Sequence, residues 1–305
     1  MPSVHRTVLL NETIEGLDLA KKSLVLDATF GGGGHSLEIL QKYPNIKVIA
    51  FDQDNSVWDK AKDKFKGLEE RITFVNKNFR DIDSVENVDG IIFDLGLSSD
   101  QLENSGRGFS FMKSEPLEMT MKENPSSEDI TAQDVVNTWS EESLADIIYG
   151  YGEEKQARRI AREIVEFRKK QEIKTTFDLV KIIEQAIPAR FRNKNQRRIH
   201  YATRTFQAIR IAVNDELQAL SEGLDKGFES LKTGGRMSVI SFHSLEDRIV
   251  KRFYKKKVEE NLAKLIPARN EFRSGGNKKV ILASADEIKN NPRSRSAKLR
   301  ILEKI

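Results

Sequence analysis

Residues 27–36 read Asp-Ala-Thr-Phe-Gly-Gly-Gly-Gly-His-Ser, a turn that leaves the chain around it few folds to choose from. A short apolar run at 24–26 precedes it and reads as a buried strand. A helix-compatible run at 37–41 follows. Strand, glycine turn and helix in that order build a nucleotide-like pocket at the carboxyl end of the first strand of an open α/β sheet. The glycines let the backbone approach a ligand and take positive φ without a Cβ clash.

Short β-rich runs recur at 24–28, 47–51, 72–75, 90–94 and 236–241, with helix-like segments between them. That alternation argues for a parallel, doubly wound sheet. A single crossover helix needs about a dozen residues, yet about 140 separate Asp94 from Arg236. Phe206, Ile209, Val213, Leu217, Leu220, Leu224, Phe228 and Leu231 form one apolar face and predict a continuous crossover helix, closed by Gly234-Gly235. The core is therefore expected at 1–104 and 206–305, with 105–205 an inserted helical domain. Within the insertion, Thr131–Asp134 and Thr175–Asp178 have the spacing of capping boxes. Ala157, Ile160, Ala161, Ile164 and Val165 make a helical stripe, and Pro188 closes the next helix. Residues 261–276 read as a basic tail with a loop at 274–276, and 279–283 and 298–302 as closing strands. No run is apolar enough to span a bilayer, and no secretory leader is seen at the start. The expectation is a cytoplasmic protein with no membrane partner.

A dinucleotide fingerprint needs a third glycine where helix packs on strand. That position falls on Ser36 or Leu37, and no Gly-Lys-Ser/Thr follows for a Walker loop. An acidic residue at the mouth of the loop, Asp27, suits a ligand with an amino group better than pyrophosphate, and S-adenosylmethionine is such a ligand. Asp52, about 20 residues past the glycines, can accept both ribose hydroxyls. Phe79 offers an aromatic face for adenine, and Asp94 ends the fourth strand. Any one acid at a strand end could simply cap the next helix. Four such features at successive strand ends favour a cofactor pocket. A nicotinamide oxidoreductase is disfavoured by the missing glycine, and an RNA-binding protein with a vestigial pocket is the further alternative.

Seven words carry a family resemblance: the glycine turn with His35, the Phe93–Leu102 stretch containing Ser98 and Gln101, Arg107–Phe111, Tyr151–Glu154, Ala202–Ala208, Ile240–Arg248 and Asn291–Ser296. In content and order they resemble the bacterial 16S ribosomal RNA (cytosine-N4)-methyltransferases, from about residue 5 to 300. The resemblance implies a Rossmann-like class I methyltransferase core with an inserted all-helical substrate-recognition domain. It implies S-adenosyl-L-methionine as cofactor, held at Gly33, Gly34, His35, Asp52, Phe79, Asp94 and Gln101. The implied substrate is 16S ribosomal RNA in its decoding region, within a small-subunit particle. Four positions depart from the family pattern: Gly32 for a larger residue, Glu118 for an aspartate, Thr120 for an arginine, and Tyr201 for a proline.

The chain has no cysteine. That removes the thiolate that C5-methylation of a pyrimidine uses, along with disulfides and cysteine-ligated zinc. No metal is expected. An exocyclic amine needs no covalent help but must be placed in line with the methyl group, about 3–3.5 Å away. Residues alone leave adenine N6 and ribose 2′-O open beside cytosine N4. Asp94, Ser98 and His243 are the candidates for the catalytic step, with Glu246 near the same edge. Net charge is only +4, yet no acid lies between Glu184 and Asp215, where Arg190, Arg192, Lys194, Arg197, Arg198, Arg204 and Arg210 accumulate with Phe191 and Tyr201. Further basic clusters lie at 248–257, of which Lys255–Lys257 read as a plain solvated face, and at Arg293, Arg295, Lys298 and Arg300. Such a surface suits RNA phosphates, with Arg197, Arg198, Arg204 and Arg248 as candidate contacts. The target base must leave its stack. A homodimer is compatible with the sequence.

Overall fold

The four short apolar runs of the N-terminal third become strands β1 (Leu24–Asp27), β2 (Lys47–Phe51), β3 (Ile72–Val75) and β4 (Val88–Asp94) in the computed structural model, which describes residues 6–189, 199–267 and 279–305. Four more strands follow: β5 (Leu231–Ser241), β6 (Ala263–Ile266), β7 (Ile281–Leu282) and β8 (Lys298–Lys304). The order across the sheet is β3-β2-β1-β4-β5-β8-β6, with β7 also paired to β8. The first five are mutually parallel and β8 runs against its neighbours. Strand order reverses between β1 and β4, and ligands of open α/β sheets collect at the carboxyl ends beside such a reversal. This is the doubly wound, mostly parallel sheet expected.

Two compact units are present, Met1–Leu97 with Leu217–Ile305, and Ser98–Glu216. In the first, alternate side chains of one strand serve opposite faces of the sheet. Leu26, Phe51, Ile91 and Phe93 pack with Leu220, Leu224 and Phe228 of α10 (Glu216–Ser230) and with Val250 and Tyr254 of α11 (Ser244–Glu259). Val25, Val48, Ala50 and Ile92 face the other way, onto α1 (Leu10–Leu17), α2 (Gly34–Lys42) and α3 (Ser56–Ala61). A strand apolar on both faces needs such double cover.

The second unit is helical among its described residues: α4 (Ser99–Asn104), α5 (Ala132–Thr138), α6 (Glu141–Gly150), α7 (Ala157–Arg168), α8 (Thr176–Ala186) and α9 (Thr203–Asn214). It extends beyond the 105–205 expected, at both ends. Thr131 and Thr175 each form a full capping box, with Asp134 and Asp178. The stripe of α7 buries Ala157, Ile160, Ala161 and Ile164, while Val165 is only partly covered. Helix α8 stops two residues before Pro188, as expected.

Three expectations are corrected. The crossover is not one helix: α9 ends at Asn214, and Asp215 takes a left-handed conformation at φ 48°. Asp tolerates that region through its short polar side chain. Around it, the Asn214 amide donates to the Met119 and Arg210 carbonyls, and the Arg210 guanidinium forks onto Glu216 at 2.8 Å on both oxygens. These polar contacts end a helix that apolar spacing alone would continue. Second, β5 begins at Leu231, and Gly234-Gly235 lie within it as an irregularity rather than ahead of it. Third, β6 occupies the start of the expected basic tail, because Leu265 and Ile266 pair with Leu302 and Ile301 of β8. The loop expected at 274–276 lies outside the described residues.

Candidate active site

The carboxyl ends of β1, β2 and β4 deliver Asp27, Asp52 and Asp94 to one edge of the sheet. Asp27 does not stand at the mouth of the glycine loop as expected. It is 1% exposed, and its carboxylate accepts from the Ser36 hydroxyl at 2.6 Å and the Thr29 N–H at 3.3 Å. The residue at the missing third glycine is thus a serine that ties the helix start to the strand end. Burial lifts the Asp27 pKa from 3.8 to about 6, against the pull of those two hydrogen bonds.

Asp52 accepts from the Gly31 N–H at 2.8 Å and from the Asp54 N–H at 2.9 Å, so it braces the glycine turn from the neighbouring strand. Its pKa also rises to about 6, chiefly through burial. Asp54 itself is fully buried and accepts from the Ser56 backbone and hydroxyl; it shapes the start of α3.

Asp94 is the most perturbed of the three. Burial, with Asp27 and Glu246 nearby, pushes its pKa to about 8. One oxygen, Oδ2, lies 3.8 Å from His35 Nδ1. The other, Oδ1, is buried and accepts no hydrogen bond. A buried acceptor without a donor is costly, about 1–3 kcal/mol, and three raised carboxyls at one edge favour a cationic or hydrogen-bond-donating ligand. The Asp94 N–H is itself held by the Thr29 hydroxyl.

Gly33 caps α2 at φ +72°, and a Cβ there would lie 2.6 Å from the Phe30 ring. A Cβ on Gly34 would run into the Thr7 hydroxyl. Both positions therefore require glycine for space, and Gly33 also for its backbone conformation. His35 follows in the first turn, 4% exposed. Phe79 opens a 3-10 turn after β3, its ring partly exposed and set edge-on to Phe93 at 5.7 Å.

His243 and Glu246 lie just past β5 and form a capping box at the start of α11. The Glu246 N–H donates to His243 Nδ1 at 3.3 Å, and the buried Glu246 carboxylate accepts from the Phe242 and His243 N–H groups. His243 thus has a structural task, and Glu246 adds negative charge beside Asp94.

In the helical unit, Ser98 caps α4. Its hydroxyl accepts from the Gln101 N–H, and the Gln101 side-chain Oε1 accepts from the Ser98 N–H, both at 3.1 Å. Arg204 donates to the Glu153 carbonyl at 2.8 Å. Thr120, where the family pattern has arginine, is 4% exposed, and its hydroxyl accepts from the Lys122 N–H. Tyr201 sits 4.0 Å from the His200 ring, which stacks on Phe111.

Several expected RNA-facing cations have structural partners instead. Arg210 is committed to Glu216. Lys298 and Arg300 both bind Asp247. Lys257, expected on a solvated face, packs over the Phe228 and Phe253 rings at 4.9 and 5.2 Å and pairs with Asp225. Arg248 stands exposed on α11. Arg197 and Arg198, with Arg190, Phe191, Arg192 and Lys194, lie outside the described residues.

The MraW methylase family matches residues 2–305. The chain belongs to that family. A ribosomal RNA small subunit methyltransferase H of Lactobacillus johnsonii is 44% identical, covering 99% of both chains. A protein of the same name from Brevibacillus brevis is 44% identical, covering 99% of this chain and 98% of its own. Among solved structures, an rRNA methylase from Streptococcus thermophilus aligns at 11% identity with a TM-score of 0.45, over 98% of each chain.

As a methylase of this family the chain uses S-adenosylmethionine, and the site fits it. The carboxyl cluster would suit the ligand's ammonium and sulfonium charges, Asp52 could accept from its ribose hydroxyls, and the partly exposed Phe79 ring could take adenine. At Gly33 and Gly34 the backbone packs directly against Phe30 and Thr7, which fixes the path of the turn beside these groups. Sequence reasoning singled these residues out but did not anticipate that Thr29 and Ser36 bond Asp94 and Asp27. Hydroxyls two residues to either side of the glycines carry no spacing signal of their own.

Proposed function

We propose that this protein transfers the methyl group of S-adenosylmethionine to the exocyclic N4 of a cytidine in the decoding region of small-subunit ribosomal RNA. The near full-length identity to proteins named ribosomal RNA small subunit methyltransferase H supports the ribosomal substrate. The observation that carries the chemistry is Asp94: a buried carboxyl at the strand end with one oxygen still lacking a donor.

The bound cofactor supplies an electrophilic methyl group on a sulfonium. Asp94 acts first as a cofactor contact, with His35, Gly33, Gly34, Asp52, Phe79 and Gln101 as the further contacts. Its free Oδ1 and the carbonyls of the 94–97 turn orient the acceptor amine, whose lone pair is otherwise delocalised into the base. Accepting one amino hydrogen localises that pair toward the methyl group, and the same oxygen takes the proton that the nitrogen sheds as it is methylated. No covalent enzyme–base bond is needed, consistent with a chain that lacks cysteine. His243 and Ser98 serve the site through the caps they form. The helical unit, with Arg204 and the arginine-rich 190–198 stretch, binds RNA phosphates together with Arg248, and the target cytidine leaves its stack to reach the sheet edge. The substrate is the small subunit in particle form, in the cytoplasm. Among the described residues no helix is long and apolar enough to cross a membrane.

The test is transfer of labelled methyl from S-adenosylmethionine to small subunits lacking the modification, with large subunits as control. Label confined to small-subunit RNA and recovered as N4-methylated cytidine is expected. Label on adenine N6 or a ribose oxygen would reject the assignment.

A further inference from the structure

Phe79 is held from behind by one face of α10. Gly223, in the middle of that helix, has no room for a side chain: a Cβ would lie 2.6 Å from Phe79 Cδ2 and 3.3 Å from both Cε2 and the Phe79 carbonyl oxygen. One helical turn on, a Cβ at Gly227 would lie 3.3 Å from the ring of Phe93 and from Met237. Phe93 is the residue on which Phe79 rests edge-on. Two glycines at i and i+4 thus face two aromatic rings that touch each other. Their neighbours grip the same turn. Glu222 meets Arg80 Nε at 3.2 Å, and Lys226 donates to the Arg80 carbonyl at 2.6 Å and to Asp83 at 2.8 Å.

Glycine inside a helix costs about 1 kcal/mol relative to alanine. An exposed helix face gives no reason to bear that cost; a ring pressed against the helix backbone does. The grip of Glu222 and Lys226 fixes the turn along α10, and the absent Cβ of Gly223 fixes how deep the ring sits.

We infer that Gly223 is a positioning residue for the cofactor: it sets the depth of Phe79 and so the width of the slot that receives adenine. This rests on Phe79 being an adenine contact. An alanine at 223 displaces the ring toward the slot, narrowing it, while improving the helix. The loss of affinity then depends on the Phe79 ring being present, which a merely structural glycine would not produce.

The experiment is titration calorimetry of the full chain with S-adenosylhomocysteine, alongside thermal melting, for wild type, Gly223→Ala, Phe79→Ala and the double variant. Gly223→Ala should weaken binding by about tenfold, or 1.4 kcal/mol, while still melting cooperatively as a folded protein. Phe79→Ala should weaken binding too. In the double variant, Gly223→Ala should add nothing, because the ring it displaces is gone. Wild-type affinity in Gly223→Ala beside weakened Phe79→Ala, or additive losses in the double variant, would overturn the role of Gly223. Wild-type affinity in Phe79→Ala would overturn the adenine contact itself, and the inference with it.

Discussion

Replacing Asp94 with asparagine should make the cofactor-free protein more stable, and increasingly so as the pH rises. Asp94 is pushed from 3.8 to about 8 by burial and by Asp27 and Glu246 beside it. An acid whose folded pKa lies above its unfolded value keeps its proton longer in the folded state. Ionising it therefore costs stability progressively between about pH 4 and pH 8. About four units at 1.36 kcal/mol each would be roughly 5–6 kcal/mol for a site sealed from water. The Asp94 side chain keeps 26% of its surface exposed, and the higher effective dielectric this brings leaves about 2–3 kcal/mol as the working figure. Asparagine preserves the shape and one acceptor oxygen but cannot ionise. Urea denaturation at pH 5, 7 and 9 reads the difference, which should be small at pH 5 and about 2–3 kcal/mol at pH 9, or roughly 3–5 °C in melting temperature for a chain of this length. Asp27 and Asp52, raised to about 6, lower wild-type stability over pH 4–6 in both proteins and cancel in the comparison. A difference that does not grow with pH, or a variant less stable than wild type at pH 9, would refute the buried-acid account.

Two further outcomes follow from the geometry. Gly33→Val, placed at φ +72° against the Phe30 ring, should abolish calorimetric binding of S-adenosylhomocysteine; binding within tenfold of wild type would show that the turn can open. RNA affinity should fall steeply and log-linearly with salt as arginines release counterions, measured by filter binding between 50 and 200 mM salt; a flat response would remove the phosphate surface from the account.

The parallel core was legible because its strands are short apolar runs whose polar ends carry the chemistry. Asp27, Asp52, Phe79 and Asp94 could be placed at one edge from strand order alone. The capping boxes at Thr131 and Thr175 were equally local, since three residues specify them. What could not be read was long-range. Lys298 and Arg300 look like free cations until the fold brings Asp247 to them, about fifty residues away in the chain. The break at Asp215 depends on Asn214 meeting a loop more than ninety residues earlier. His243 was ranked as a catalytic candidate because sequence position put it at the right edge; its cap with Glu246 appears only once the turn is built. Gly223 sits in a helix where spacing shows apolar residues and says nothing about the ring across from it.

The central claim is methylation of cytidine N4 in small-subunit RNA, with Asp94 essential. Mass spectrometry of small-subunit RNA nucleosides from a strain deleted for this gene, complemented with wild type or with Asp94→Ala, tests it directly. N4-methylated cytidine should vanish on deletion and return with wild type. It should stay absent with Asp94→Ala, even though that variant accumulates as a folded protein. Persistence of the nucleoside after deletion, or its full return with Asp94→Ala, would contradict the account.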